Sequence, residues 1–302
     1  MEKTKYRKLI SEEIIEESEY PEITAPAVKY RGDRGNRDLT FDWSCVSQPF
    51  VVNNVPCSKE RDQFILFASA NLDNLEDFQA EVELTMGNSK KIIAEPKLVY
   101  IPTGMTYGPI NFKRINKPIV WMNFYIDKKF SKKRVESDEY DKYLVTPDFR
   151  SGVFETKTFT NGRPFREQKI NTHMMLVLGK DMGPEGANFC VFYYAIRSPH
   201  MLTEPTHSHT MDMWIINLGG NPMNVEEFDA EIEMWWGEER QKLVIDSTSV
   251  AHVTPNLLHR SIFYSAVNRP FVQIHTYTSA FCDKDNVVSE EGGMDIAEGM
   301  NN

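Results

Sequence analysis

Residues 74–87 read NLEDFQAEVELTMG, and residues 224–237 read NVEEFDAEIEMWWG. The two segments align without gaps and agree at seven of fourteen positions, where unrelated segments of average composition would share about one. At the same offset, Ser47-Gln48-Pro49 falls on Arg197-Ser198-Pro199. After a two-residue insertion, Asn116-Lys117-Pro118-Ile119-Val120 falls on Asn268-Arg269-Pro270-Phe271-Val272. The repeat therefore covers roughly 39–126 and 189–278. A unit of that length is a duplicated domain rather than one turn of a solenoid.

The texture inside each copy is short runs of aromatic and β-branched residues broken by Pro, Gly and Asn, such as FILFASAN, KLVYIPTG and PIVWMNFYI. Such runs predict strands, and the chain reads as all-β, two similar β-barrels packed together. The expected divisions are an N-terminal arm over 1–38, a first barrel over 39–150, a second over 151–282 and a frayed acidic tail over 283–302. Within the arm, SEEIIEESEY predicts a short helix starting near Ser11. Between the barrels, DKKFSKKRVESDEYDKY predicts a solvated helix.

Composition narrows the function classes. Of 302 residues, 41% are hydrophobic and 12% aromatic, ample for a buried core. A formal net charge of −10 without a long basic run argues against nucleic acid as a partner. No apolar h-region opens the chain and no apolar run reaches membrane-spanning length, so a cytoplasmic protein without a membrane partner is expected. Cys45, Cys57, Cys190 and Cys282 lie far apart, which suits reduced core thiols.

The second copy carries Thr206-His207-Ser208-His209-Thr210-Met211-Asp212 and, fifty residues on, Thr254-Pro255-Asn256-Leu257-Leu258-His259. Alternate side chains of a strand share a face, so His207 and His209 would present two imidazoles together. Two borderline-soft nitrogens on one face can begin a transition-metal site. Gly104 aligns with Asn256, the two residue types that best tolerate a left-handed turn, so the same bend is expected in both copies, with His259 just beyond it. The first copy has Cys57, Lys59 and Tyr107 where the second has these three histidines, and no metal is expected there.

These motifs resemble those of the cupins, whose small β-barrels carry H-x-H followed by P-x-G-x-x-H. The resemblance covers both copies and implies a bicupin of two jelly-roll barrels. It implies one divalent transition metal, Fe, Mn, Ni or Zn, held by His207, His209 and His259. The second motif departs from the pattern, with Thr254 in the proline slot and Asn256 in the glycine slot. The glutamate that usually follows H-x-H is also missing, its two usual positions being Met213 and Trp214. Asp212, Glu231, Glu233 or water remain for the fourth position. Glu231 and Glu233 recur as Glu81 and Glu83 in the copy without histidines, which favours a structural role for them.

Among the other histidines, His275 shares a strand face with Gln273 and Tyr277 and is the pocket candidate for contact with substrate or acid–base work. His173, His200 and His252 read as structural. Trp214, Trp235 and Trp236 suit either a pocket mouth or core. The leading functional reading is a metal-dependent enzyme acting on a small oxygen-rich molecule, a dioxygenase ahead of a decarboxylase, lyase or isomerase. Its rival is a non-catalytic binding or storage-like bicupin with a vestigial site. A homodimer is expected, with the arm as a candidate for exchange between subunits.

Overall fold

The computed structural model describes residues 5–32, 39–53, 61–126, 140–152, 159–160, 163–164, 172–183, 186–202, 206–281 and 286–287. Each half forms a jelly-roll barrel from two facing antiparallel sheets. In the first half, a seven-stranded sheet has the central order Lys97–Ile101, Asp62–Ser69, Ile119–Ile126, Leu39–Val46, Ala27–Tyr30. It faces a four-stranded sheet of Phe50–Val52, Tyr107–Ile115, Ala80–Met86 and Ser89–Ile93. The second half repeats the plan. Its seven-stranded sheet has Ser249–Val253, Met213–Gly219, Phe271–Tyr277, Cys190–Ile196 and Thr172–Val177 in order, and its facing sheet is built around Ala230–Trp236 and His259–Val267.

The register shows that the duplication is structural. Trp121 pairs with Phe67 in the first barrel, and the aligned Gln273 pairs with Asn217 in the second. Phe112 pairs with Val82, and the aligned Tyr264 pairs with Ile232. The shared bend is present too: Gly104 has φ +87° and Asn256 φ +63°.

Strand alternation divides each seven-stranded sheet into two faces. In the second barrel, Met213 and Ile215 belong to an interior cluster with Met234, Trp236 and Tyr264. Trp214, Ile216 and Leu218 turn the other way and join one continuous apolar cluster with the first barrel. Phe189 packs there, its ring 4.2 Å from Phe64 and 5.2 Å from Phe124. Both large sheets thus bury both faces, which is why their central strands read as unbroken apolar runs.

Three expectations need correction or limitation. The arm has no helix at Ser11: Ile10–Ser11 is a strand paired with Val250 and Ala251 of the second barrel, and Ile15–Glu16 is a strand paired with Ala27 and Val28 beside the first. Open sheet edges offer backbone partners that outweigh the weak helical preference of a short acidic segment. The tail is not wholly frayed, because Asn286–Val287 pairs with His207–Ser208. Most of the segment expected as a linker helix lies outside the described residues, and its end, Tyr140–Tyr143, is a 3-10 turn. Cys45 and Cys190 are buried thiols outside any disulfide, as expected; Cys57, Lys59 and Cys282 lie outside the described residues.

Candidate metal centre

His207 lies on the two-residue strand His207–Ser208, directly across from His259, which opens the strand His259–Val267. His209 follows one residue later. Its carbonyl accepts the backbone N–H of Asn256 at 2.7 Å, which ties the H-x-H segment to the left-handed turn preceding His259. Asn is one of the few side-chain-bearing residues that enter this conformation readily, so the turn survives without the usual glycine.

The three imidazoles are buried, with ring centroids 4.3 Å apart for His207–His259, 4.9 Å for His207–His209 and 5.1 Å for His209–His259. One ring nitrogen from each lies within 4.8 Å of the others, and this group contains no carboxylate among the described residues. His259 Nδ1 is 2.9 Å from the Leu257 carbonyl. A carbonyl only accepts, so the Nδ1 proton is fixed and a neutral ring carries its lone pair on Nε2. Borderline nitrogen donors in this number suit a divalent transition metal, and the residues present fit that group.

The alternatives for the fourth position have other engagements. Along Ala230–Trp236, burial alternates so that Ala230, Ile232, Met234 and Trp236 face the core, and Glu231, Glu233 and Trp235 face outward. Glu231 accepts from Ser265 Oγ at 2.7 Å, and Glu233 accepts from Lys242 at 2.7 Å. Their counterparts Glu81 and Glu83 likewise pair with Lys113 and Lys90. Asp212 Oδ1 lies 2.9 Å from His252 Nε2, and both side chains are almost fully buried. In the first barrel the aligned pair is Asp62 and Tyr100, whose hydroxyl donates to Asp62 at 3.0 Å. The carboxylate has a hydrogen-bond partner on the neighbouring strand at the same place in both barrels.

His275 is buried on the face expected, beside Gln273 and Tyr277, and the Tyr277 ring lies 5.5 Å from His209. Its Nε2 is 3.0 Å from Gln273 Oε1, which also accepts from the Tyr264 hydroxyl at 2.6 Å. Gln273 Nε2 continues the chain to Asn217 Oδ1 at 2.8 Å, and Asn217 Nδ2 reaches Ser249 Oγ at 3.3 Å. The His200 ring lies tilted against Tyr264 at 4.5 Å, and burial pushes its pKa down. Sequence reasoning missed Asn217, Ser249 and Tyr264 as members of this interior. The signal was available in the repeat: they replace Phe67, Lys97 and Phe112. Trp214 stacks on His252 at 4.8 Å and Trp236 packs edge-on against Tyr6 at 6.3 Å, so both serve packing rather than a pocket mouth.

No protein-family model and no curated protein matches the chain. Solved structures do match it in fold. AerE from Microcystis aeruginosa superposes with a TM-score of 0.52 at 11% identity, over 86% of this chain and 94% of that one. Oxalate decarboxylase gives a TM-score of 0.55 at 8% identity, over 92% and 78%. Bacillus subtilis oxalate decarboxylase, a protein with Mn(II) centres, gives 0.53 at 9% identity, over 87% and 75%. The chain has the two-barrel cupin fold. At these identities the likeness extends to the fold alone.

Proposed function

We propose that the chain is a metal-dependent enzyme whose second barrel holds one divalent transition metal on His207, His209 and His259 and acts on a small oxygen-rich acid. The observation that carries the reading is the convergence of three buried imidazole nitrogens within 4.8 Å, in the barrel whose aligned partner has none of them. Three neutral donors leave the charge of a divalent ion uncompensated, and an anionic carboxylate or enolate oxygen compensates it best. When bound, the metal supplies Lewis acidity or, with iron, oxygen activation.

The protein's own residues supply the polar wall. Gln273 Oε1 can only accept, so His275 donates from Nε2 and its Nδ1 remains the basic nitrogen of the neutral ring. His275, buried in the second barrel, is the candidate for holding or taking a proton near a bound acid. Buried polar groups cost stability unless they are satisfied. A chain of them in the same barrel as the histidines, where the other barrel has aromatic rings, fits an interior that must face a polar ligand.

A dioxygenase is the first reading and a decarboxylase the second, the latter favoured by the fold shared with oxalate decarboxylase. Elemental analysis of purified protein tests the metal: about one ion per chain is expected in the wild type and close to none in His207→Ala and His259→Ala. A folded wild type that binds no transition metal after reconstitution would sink the enzyme reading. Oxygen uptake against carbon dioxide release, measured with small keto, hydroxy and dicarboxylic acids, then separates the two reactions.

A further inference from the structure

The segments that lead into the two halves are also copies of each other. Tyr6-Arg7-Lys8-Leu9-Ile10 and Tyr140-Asp141-Lys142-Tyr143-Leu144 share Tyr, Lys and an aliphatic residue at matching positions, at an offset different from that of the barrels. Each makes a short 3-10 turn and then a two-residue strand. Ile10 pairs with Ala251 and Leu144 with Val99, and Ala251 and Val99 are aligned residues of the two edge strands. The tyrosines land at matching places too. A Cβ on Gly237 would overlap the Tyr6 hydroxyl, and one on the aligned Gly87 would overlap that of Tyr140. Both glycines have positive φ, +79° and +55°. The Gly237 N–H donates to the Leu258 carbonyl at 2.7 Å and the Gly87 N–H to the aligned Thr106 carbonyl at 2.8 Å.

The exchange is reciprocal. After Ser11 the chain enters the large sheet of the first barrel through Ile15–Glu16 and Ala27–Tyr30, and after Val145 it enters that of the second through Asp148–Gly152 and Thr172–Val177. Each half therefore covers the open edge of the other with the segment that precedes its own barrel. Only one of the two covers lies behind a histidine. Trp236, next to Gly237, pairs directly across from His259, whereas Met86, next to Gly87, pairs across from Tyr107. Tyr6 is buried, sets its ring edge-on 6.3 Å from Trp236, and donates its hydroxyl to Glu239 at 3.0 Å in the same hairpin.

We infer that Tyr6 is a positioning residue for His259, supplied to the second barrel by the opposite half. Seated on Gly237, it holds the hairpin over 237–240 against the turn through Asn256 that presents the imidazole, with the Gly237 to Leu258 hydrogen bond as the link between them. Its consequence for metal binding rests on the proposed function. A group that fixes the orientation of a ligand from outside the ligand shell is worth about tenfold in metal affinity. Tyr140 holds the corresponding turn in the barrel whose aligned positions lack the histidines, and so provides a matched control within the same chain.

The test is titration of the metal-free full chain with cobalt(II) chloride, read by the visible d–d absorption of the bound ion. Tyr6→Ala should weaken cobalt binding about tenfold and shift that absorption, and Tyr6→Phe, which keeps the ring on Trp236, should stay within about threefold of wild type. Tyr140→Ala should lower the thermal midpoint comparably and leave affinity and spectrum unchanged. Tyr6→Leu takes the place of Tyr6→Ala should that variant not fold, and should move both readouts in the same direction. Amide hydrogen exchange of the metal-free protein is independent of any ion. The Tyr6 variants should speed exchange across 254–259 and leave 102–107 as in wild type, and Tyr140→Ala should do the reverse. A wild type that binds no cobalt yet shows this exchange pattern would support the positioning of the turn while removing the metal reading. Equal loss of affinity in the Tyr6 and Tyr140 variants, unaltered affinity and spectrum in the Tyr6 variants, or exchange at 254–259 that ignores Tyr6 would overturn the proposal.

Discussion

The two barrels share strand order and register yet line their interiors with opposite chemistry. Where the first has Phe50, Phe67, Phe112 and Trp121, in ring contact at 4.8, 5.4 and 6.2 Å, the second has His200, Asn217, Tyr264 and Gln273, joined by hydrogen bonds and one tilted ring pair. The outer apolar face differs much less, since Phe64, Leu66 and Ala68 in one and Trp214, Ile216 and Leu218 in the other pack into the same cluster. What holds the halves together has stayed apolar, and what each half encloses has diverged. A β-strand permits this separation because its two faces alternate residue by residue, so interior substitutions leave the interface untouched.

The strongest way to break the comparison is to move a second-barrel residue into the first. Phe67→Asn removes a fully buried ring and places an amide opposite Trp121 rather than Gln273. The lost packing and the unsatisfied amide together should cost at least ~4 kcal/mol, read as a fall in the denaturation midpoint. A cost below ~1 kcal/mol would show that the two interiors are interchangeable. A smaller effect is expected from the shared carboxylates. Asp62 accepts from Tyr100 and from both the backbone N–H and hydroxyl of Thr103, the latter two at 2.8 Å. Asp62→Ala should therefore lose ~1–3 kcal/mol. Asp212→Asn should cost less, and the protein should still take up metal. Loss of metal in that variant would instead identify Asp212 as the fourth ligand.

The smallest effect concerns pH. Burial depresses the pKa of folded His200, so between that value and the ordinary value near 6.5 the unfolded chain binds more protons. Stability from this group is full above about pH 6.5 and declines as pH falls through the window. Phe50 occupies the aligned position in the first barrel and cannot titrate. His200→Phe should accordingly flatten the acid side of the stability profile relative to wild type, measured by urea denaturation at several pH values. An unchanged slope would remove His200 from the account.

Much of the site was legible because it depends on short-range pattern. His207 and His209 share a motif, and the aligned turn places His259 beyond Asn256, whose φ of +63° the residue type anticipated. The fourth-ligand alternatives were legible only in part. Recurrence as Glu81 and Glu83 already favoured a structural role for Glu231 and Glu233, which the structure turns outward, whereas Asp212 needed knowledge that His252 lies across the sheet on the neighbouring strand. The arm misled for a related reason: the preference of SEEIIEESEY for helix is local, whereas the edge that captures Ile10 lies some 240 residues along the chain.

By itself the sequence determined the duplication, the all-β class and the three clustered histidines, since each is written in spacing, alternation or internal identity. Only the tertiary structure decided which carboxylates turn away from the centre, that Asn286–Val287 pairs with the strand bearing His207, and that the first barrel has a cavity lined by Tyr20, Trp121 and Tyr125. Those features arise from cross-strand register and from what the opposing sheet leaves unfilled, and neither is carried by neighbours in the chain.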